Sequence, residues 1–182
     1  ATNTAKATEF LTSTDERFRP VQAANGPDGA LYLVDMYRGI IQHQSFLTHY
    51  LIANIEARKL HQPFNQGRIW RIVPDTKERP PVVKVSKDVK LLTHENGWVR
   101  DTAQRLLVEK RDPAVAPALR AAALDAKAPA FARLHALWAL EGHGDALDRA
   151  TVRAALADPD GRVAAAAVRL SERFLRPAAS DP

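Results

Sequence analysis

The 182-residue chain contains no cysteine. This excludes disulfides, a covalently attached c-type haem and a thiolate metal site within it. It suits an exported protein that needs no staples and a cytosolic one equally. Every apolar run is too short to cross a bilayer, so no membrane-spanning segment is expected. The eight glycines never form GxGxxG or GxxxxGK, and no serine sits in Gly-x-Ser-x-Gly. Dinucleotide-binding, phosphate-loop and nucleophile-elbow chemistry therefore have no sequence support. No charged-then-apolar leader opens the chain. It starts at Ala1 rather than at Met, from which a processed protein or an excised piece of a longer one is expected.

What is present is the composition of a soluble globular protein, 46% apolar and 26% charged. The length allows one good core or two small ones. The net charge of +5 is spread evenly: residues 1–80 carry 10 Lys/Arg and 8 Asp/Glu, residues 81–182 carry 16 and 13. Phosphate backbones need basic groups gathered together, so a nucleic-acid partner is not expected.

Three regions separate. In residues 1–73, Phe18–Ala23 reads as an extended run, with Pro20 placing it at a strand start or a sheet edge. Asn25-Gly26-Pro27-Asp28-Gly29 is turn chemistry, and Ala30–Met36 has the β-branched and aromatic content of a strand. Gly67–Val73 reads as another. Between them Gln44–Leu60 has a helical apolar face of Phe46, Leu47, Tyr50, Leu51 and Ile55, with Ser45 as N-cap and His61-Gln62-Pro63 as the stop. Residues 74–90, with three prolines and alternating charge, read as a linker; 178–182 is a tail.

Residues 91–177 read as helices in repeats. The blocks 98–107, 131–140 and 162–171 align Val99, Ala132 and Val163; Ala103, Ala136 and Ala167; and Leu106, Ala139 and Leu170. Each block follows a polar or proline-containing turn, and each turn follows a shorter helical piece: Val89–Leu92, Ala114–Leu124 and Ala150–Leu156. A helix–turn–helix unit recurring about every thirty residues is the signature of an α-solenoid. The 21 alanines between 112 and 170 suit helices that approach closely. Gly142 or Gly144 is expected to end the middle helix as its C′ residue. The fold class is thus mostly α with a small β part: an α-α superhelix preceded by an antiparallel β-hairpin.

Two resemblances refine this. The helical blocks, with Val99, Arg100 and Ala103 as the best-formed instance, resemble HEAT repeats; the third block lacks the Arg. The run "FLTSTDERFRPVQAANGPDGALYLVDMYRGIIQH" followed by "GRIWRIVP" resembles the last blade of a β-propeller in large bacterial membrane-bound or secreted dehydrogenase-like proteins related to sugar and sorbosone dehydrogenases. The resemblance covers about the first 73 residues. It implies a periplasmic or secreted parent in which the propeller is followed by HEAT-like repeats and often by a c-type cytochrome domain. Active relatives use pyrroloquinoline quinone and calcium to oxidise a sugar alcohol or aldehyde. None of their ligands maps onto this stretch, so no cofactor is expected within these residues, although the quinone, calcium or haem c can belong to the parent. The other blades or the cytochrome domain would be the partners.

Asp35, Tyr37, Arg38 and His43 follow a buried strand into a loop and are the ligand-binding candidates. Arg38 has the fork to hold a carboxylate; the plainer expectation is an Asp35–Arg38 pair that pins the loop. His43 and His49 are six apart, wrong for one ion on one helix face, and His61 adds no closed ligand set. His94, His135 and His143 have no visible partners and read as structural or solvated. Trp70, Trp98 and Trp138 read as core anchors. No nucleophile with an orienting partner is visible, so no residue is assigned a catalytic or metal-binding role. The function expected is a non-catalytic, C-terminal part of a dehydrogenase-like protein, its repeats serving as a scaffold for a redox partner. The alternative is a stand-alone HEAT-like interaction module. The first leaves apolar surface exposed in residues 1–73; the second packs those residues away.

Overall fold

The computed structural model describes residues 9–76 and 81–175. The 178–182 tail, residues 77–80 of the 74–90 segment and residues 176–177 lie outside the described residues. The protein is mostly helical with a small antiparallel sheet. It divides into two compact units, residues 9–26 with 30–76, and residues 27–29 with 81–175.

In the first unit β1 (Pro20–Asn25), β2 (Leu31–Asp35) and β3 (Arg68–Ile72) form a sheet in the order β1-β2-β3, both pairs antiparallel. Gly29 takes φ 74°, which a side chain would disfavour, and the Gly26 amide donates to the Ala30 carbonyl (2.9 Å), closing the turn. The register shifts between Pro20 and Gln22, where proline lacks the donor a regular ladder would use. Opposed residues share a face. Leu33 lies across from Ala23 and Trp70, and Asp35 from Arg68; on the other face Val34 lies across from Gln22 and Ile69.

The single helix expected over Gln44–Leu60 is instead two pieces. A 3-10 turn at Gln44–Phe46 is capped by His43, and Leu47 is extended. The helix α1 (His49–Ala57) then starts from Thr48, whose hydroxyl accepts the Leu51 amide (3.3 Å). Thr48, not Ser45, is therefore the N-cap. The helix ends before Pro63, where Lys59 adopts φ 53°. Its apolar face is not buried: Tyr50 is 74% and Leu51 40% exposed.

The second unit contains α2 (Gly97–Lys110), α3 (Ala116–Leu124), α4 (Ala130–Gly142), α5 (Arg149–Ala155) and α6 (Gly161–Leu175), preceded by a 3-10 turn at Val89–Thr93. That turn packs on α2, α3 on α4, and α5 on α6; α2 packs on α4 and α4 on α6, while α3 bridges the turn and α5. The result is two layers of stacked pairs. Val99, Ala132 and Val163 are buried, as are Ala103, Ala136 and Ala167, so the alignment places equivalent residues in one interior. At the third aligned position Ala139 and Leu170 are buried, but in α2 the fully buried residue is Leu107 and Leu106 is half-buried. Gly144, at φ 68°, follows the α4 C-cap His143 as the C′ residue. Val85 and Val89, from the 74–90 segment, pack against this core.

The repeat extends to individual bonds. The Arg100 guanidinium donates to the Glu95 carbonyl (2.8 Å), and Arg133, thirty-three residues on, donates to the Ala128 carbonyl. In each case the cation ties its helix to the turn before it. His94, Asp125 and Asp158 each accept the amide two residues on, at 3.0, 2.9 and 2.8 Å, setting the three turns alike.

Candidate functional site

Asp35 ends β2 and is buried. Its Oδ1 accepts the amides of Arg19 and Tyr37 (both 2.8 Å), and its Oδ2 accepts the Trp70 indole N–H (2.9 Å). Burial pushes its pKa up; the Trp70 bond, the two amide bonds and the Arg68 charge outweigh that and hold it below the ordinary 3.8. A carboxylate held anionic by three donors is a poor proton acceptor, so Asp35 is suited to fixing backbone rather than to acid–base work.

Tyr37 turns the chain with φ 48°. Its hydroxyl donates to Asp15 Oδ2 (2.8 Å), and its ring lies 3.6 Å beneath the Arg68 guanidinium. Asp35 and Tyr37 therefore meet in one cluster with Asp15, Arg68 and Trp70. The expected Asp35–Arg38 pair does not form: Arg38 stacks over the Phe64 ring at 5.0 Å, and the loop is pinned by amides and an indole instead. His43 stands apart from that cluster in its bonding: exposed, its Nδ1 accepts the Ser45 amide (3.2 Å) and its ring meets the edge of Phe46.

Asp15, Arg17 and Arg68 carry no sequence motif that singles them out. Arg68 and Trp70 alternate on one strand face, a signal that points to Asp35 only once β3 is registered against β2. Arg17 donates to the carbonyls of Gln62 (2.8 Å) and Lys59 (3.1 Å), placing a cation where α1 runs out of intrahelical donors. Beside it, a cleft of about 220 Å³ is lined by Arg19, Gly39, Tyr50, Asn54, Arg58 and Leu60. Its two guanidiniums are already engaged, Arg58 with Glu16 and Asn54, Arg19 with the Phe18 carbonyl.

In the helical unit the buried Arg133 pairs with Asp158 through two bonds, 2.7 and 2.8 Å. His135 holds Gln104 at Nδ1 (2.6 Å) and accepts from Arg100 at Nε2 (3.3 Å), and His143 meets the Leu107 carbonyl (2.9 Å). All three histidines of this unit, His94 included, thus have partners and serve the packing. The tryptophans are not core anchors: Trp70 and Trp138 are each more than a third exposed, and Trp98 is half-buried.

Among the described residues no group of three or more His, Cys, Asp or Glu side chains is placed to hold a metal ion. Among them no helix is long and apolar enough to cross a membrane. Residues 1–76 match a family described as a domain of unknown function (DUF7133). No curated protein and no solved structure matches the chain.

Proposed function

We propose that the chain is a scaffold rather than a catalyst. In this reading residues 9–76 are the closing part of a β-propeller in a quinone-dependent sugar- or aldehyde-dehydrogenase-like protein of the periplasm or exterior, and the helix pairs, read as HEAT-like repeats, form a docking surface for a redox partner domain. The observation that carries the reading is how little interior the sheet unit has. Among residues 9–76 only Gly26, Ala30, Leu33 and Asp35 are buried, while Val21, Val34, Ile41, Phe64 and Ile69 are exposed. Three strands and one helix that bury so little are marginal in water, and neighbouring blades would cover what is open. A stand-alone interaction module would instead have those apolar side chains packed away. The pinned, acidic Asp35 supports a structural role for the strand-end cluster.

Amide exchange on the whole chain tests this. Fast exchange in β1 and β3 beside slow exchange in α2, α4 and α6 is expected; uniformly slow exchange across the sheet would overturn the reading. A second assay supplies pyrroloquinoline quinone, calcium and glucose or sorbosone with an artificial electron acceptor. No turnover is expected, and calcium-dependent turnover by residues 1–182 would sink the scaffold assignment.

A further inference from the structure

The helical unit contains a second cleft, about 270 Å³, where α4 and α6 lie side by side. Trp138, Glu141, Arg169, Leu170, Glu172 and Arg173 line it. Of the thirteen residues of α4, Ala132, Arg133, Ala136, Leu137, Ala139 and Leu140 are buried and six more are half-buried. Trp138 is the exception, 40% exposed, and Glu141 stands three residues on along the same face.

The charged groups of the cleft are not equivalent. Arg169 is taken by both oxygens of Glu172 (3.2 Å each). Arg173 donates to the Gly144 carbonyl (2.9 Å) and covers the Phe174 ring at 5.4 Å. Glu141 is half-buried, and its carboxylate has no hydrogen bond or ion pair among the described residues. An anionic guest would have to draw a guanidinium away from a partner it already holds. A cation would meet a free carboxylate and an exposed indole, two groups that bind ammonium and guanidinium well when partly desolvated. Leu170 is buried at the base of the cleft and offers apolar surface to an aliphatic stem.

We propose that this cleft receives a lysine or arginine side chain from a docking protein, with Glu141 as its counter-charge and Trp138 as its platform. The proposal rests on reading the helix pairs as a docking surface and names the chemistry of the partner there. Tryptophan and arginine are also the residues in which binding energy concentrates at interfaces.

The probe is a capped tri-arginine peptide titrated into the full chain, followed by the Trp138 indole N–H and the amides of residues 138–141 and 169–173. Saturable shifts confined to these signals are expected, with the Trp70 and Trp98 indoles unmoved. Glu141→Gln keeps the shape and should weaken binding roughly five-fold; Trp138→Leu, checked by its melting curve, should weaken it by a similar factor. Glu141→Gln decides the matter alone if the tryptophan variant does not fold. Unchanged affinity in Glu141→Gln, or no local shift with tri-arginine, overturns the proposal. A capped tri-glutamate peptide perturbing the cleft where tri-arginine does not would overturn the cation assignment while leaving the helical docking surface in place.

Discussion

Removing the Asp35 carboxylate strands three donors: the amides of Arg19 and Tyr37 and the Trp70 indole. Asp35→Ala is expected to destabilise the sheet unit by about 2 kcal/mol or more, read in the full chain as faster amide exchange in β2 and lost protection of the Trp70 indole N–H. Arg133 and Asp158 pose the same question in the helical unit, where both side chains are almost fully buried. Asp158→Ala should cost about 3–5 kcal/mol because it leaves a buried guanidinium uncompensated, whereas replacing both residues with apolar ones of similar volume should cost far less. The Asp158 carboxyl is held below 3.8 chiefly by the Arg133 bond, against burial. Its stabilisation is complete above that ordinary value and lost as pH falls through the lower folded-state value. His135 behaves alike in sign: burial pushes its pKa below 6.5, Arg100 adds to this and Asp101 opposes it. The folded state therefore binds this proton less readily than the unfolded chain. Thermal melts should show the helical unit losing stability as pH drops below 6.5, and His135→Asn should flatten that slope.

At the scale of elements, close approach decides which substitutions are tolerated. A Cβ on Gly142 would lie 2.6 Å from a Val108 methyl, pressing the end of α4 onto α2. Gly142→Ala is expected to cost about 1–3 kcal/mol, with most of it recovered by Val108→Ala, since the clash is with a side chain. Gly39 differs: its Cβ would lie 2.5 Å from the Leu60 carbonyl oxygen, a backbone atom that no side-chain change can move aside. Ala136 is fully buried between neighbouring helices, so Ala136→Asp should abolish the cooperative melt of the stack. These helices were legible in the sequence because small residues recur at a fixed period, and period survives without knowledge of the partner. Helix α1 was read less well, because its apolar face has no interior to settle against and a local hydroxyl, Thr48, fixes its start. The strand-end cluster was legible only in part. Asp35 and Tyr37 stood out as strand-end residues, but the partners they use, Asp15, Arg68 and Trp70, come from distant stretches brought in by strand register. Arg38, the neighbour in sequence, goes to Phe64.

For the whole molecule the two units are unequal in what they hold inside. The core of the helical unit, from Leu92 to Leu170, is drawn from its own residues. Residues 81–182 expressed alone should therefore melt cooperatively with a helical circular dichroism spectrum, while residues 1–76 alone should lack a cooperative transition; the reverse outcome would contradict this division. The stack has a further property that follows from its recurring bond. Because Arg100 and Arg133 each anchor to the turn before them in the same way, a tandem duplication of residues 99–131 would supply every new junction with an anchor already proven at the old one. Only the final unit, where Ala164 stands in the equivalent place, does without it. Such a stack is expected to lengthen by whole modules, which a melt of the duplicated chain that stays cooperative would show.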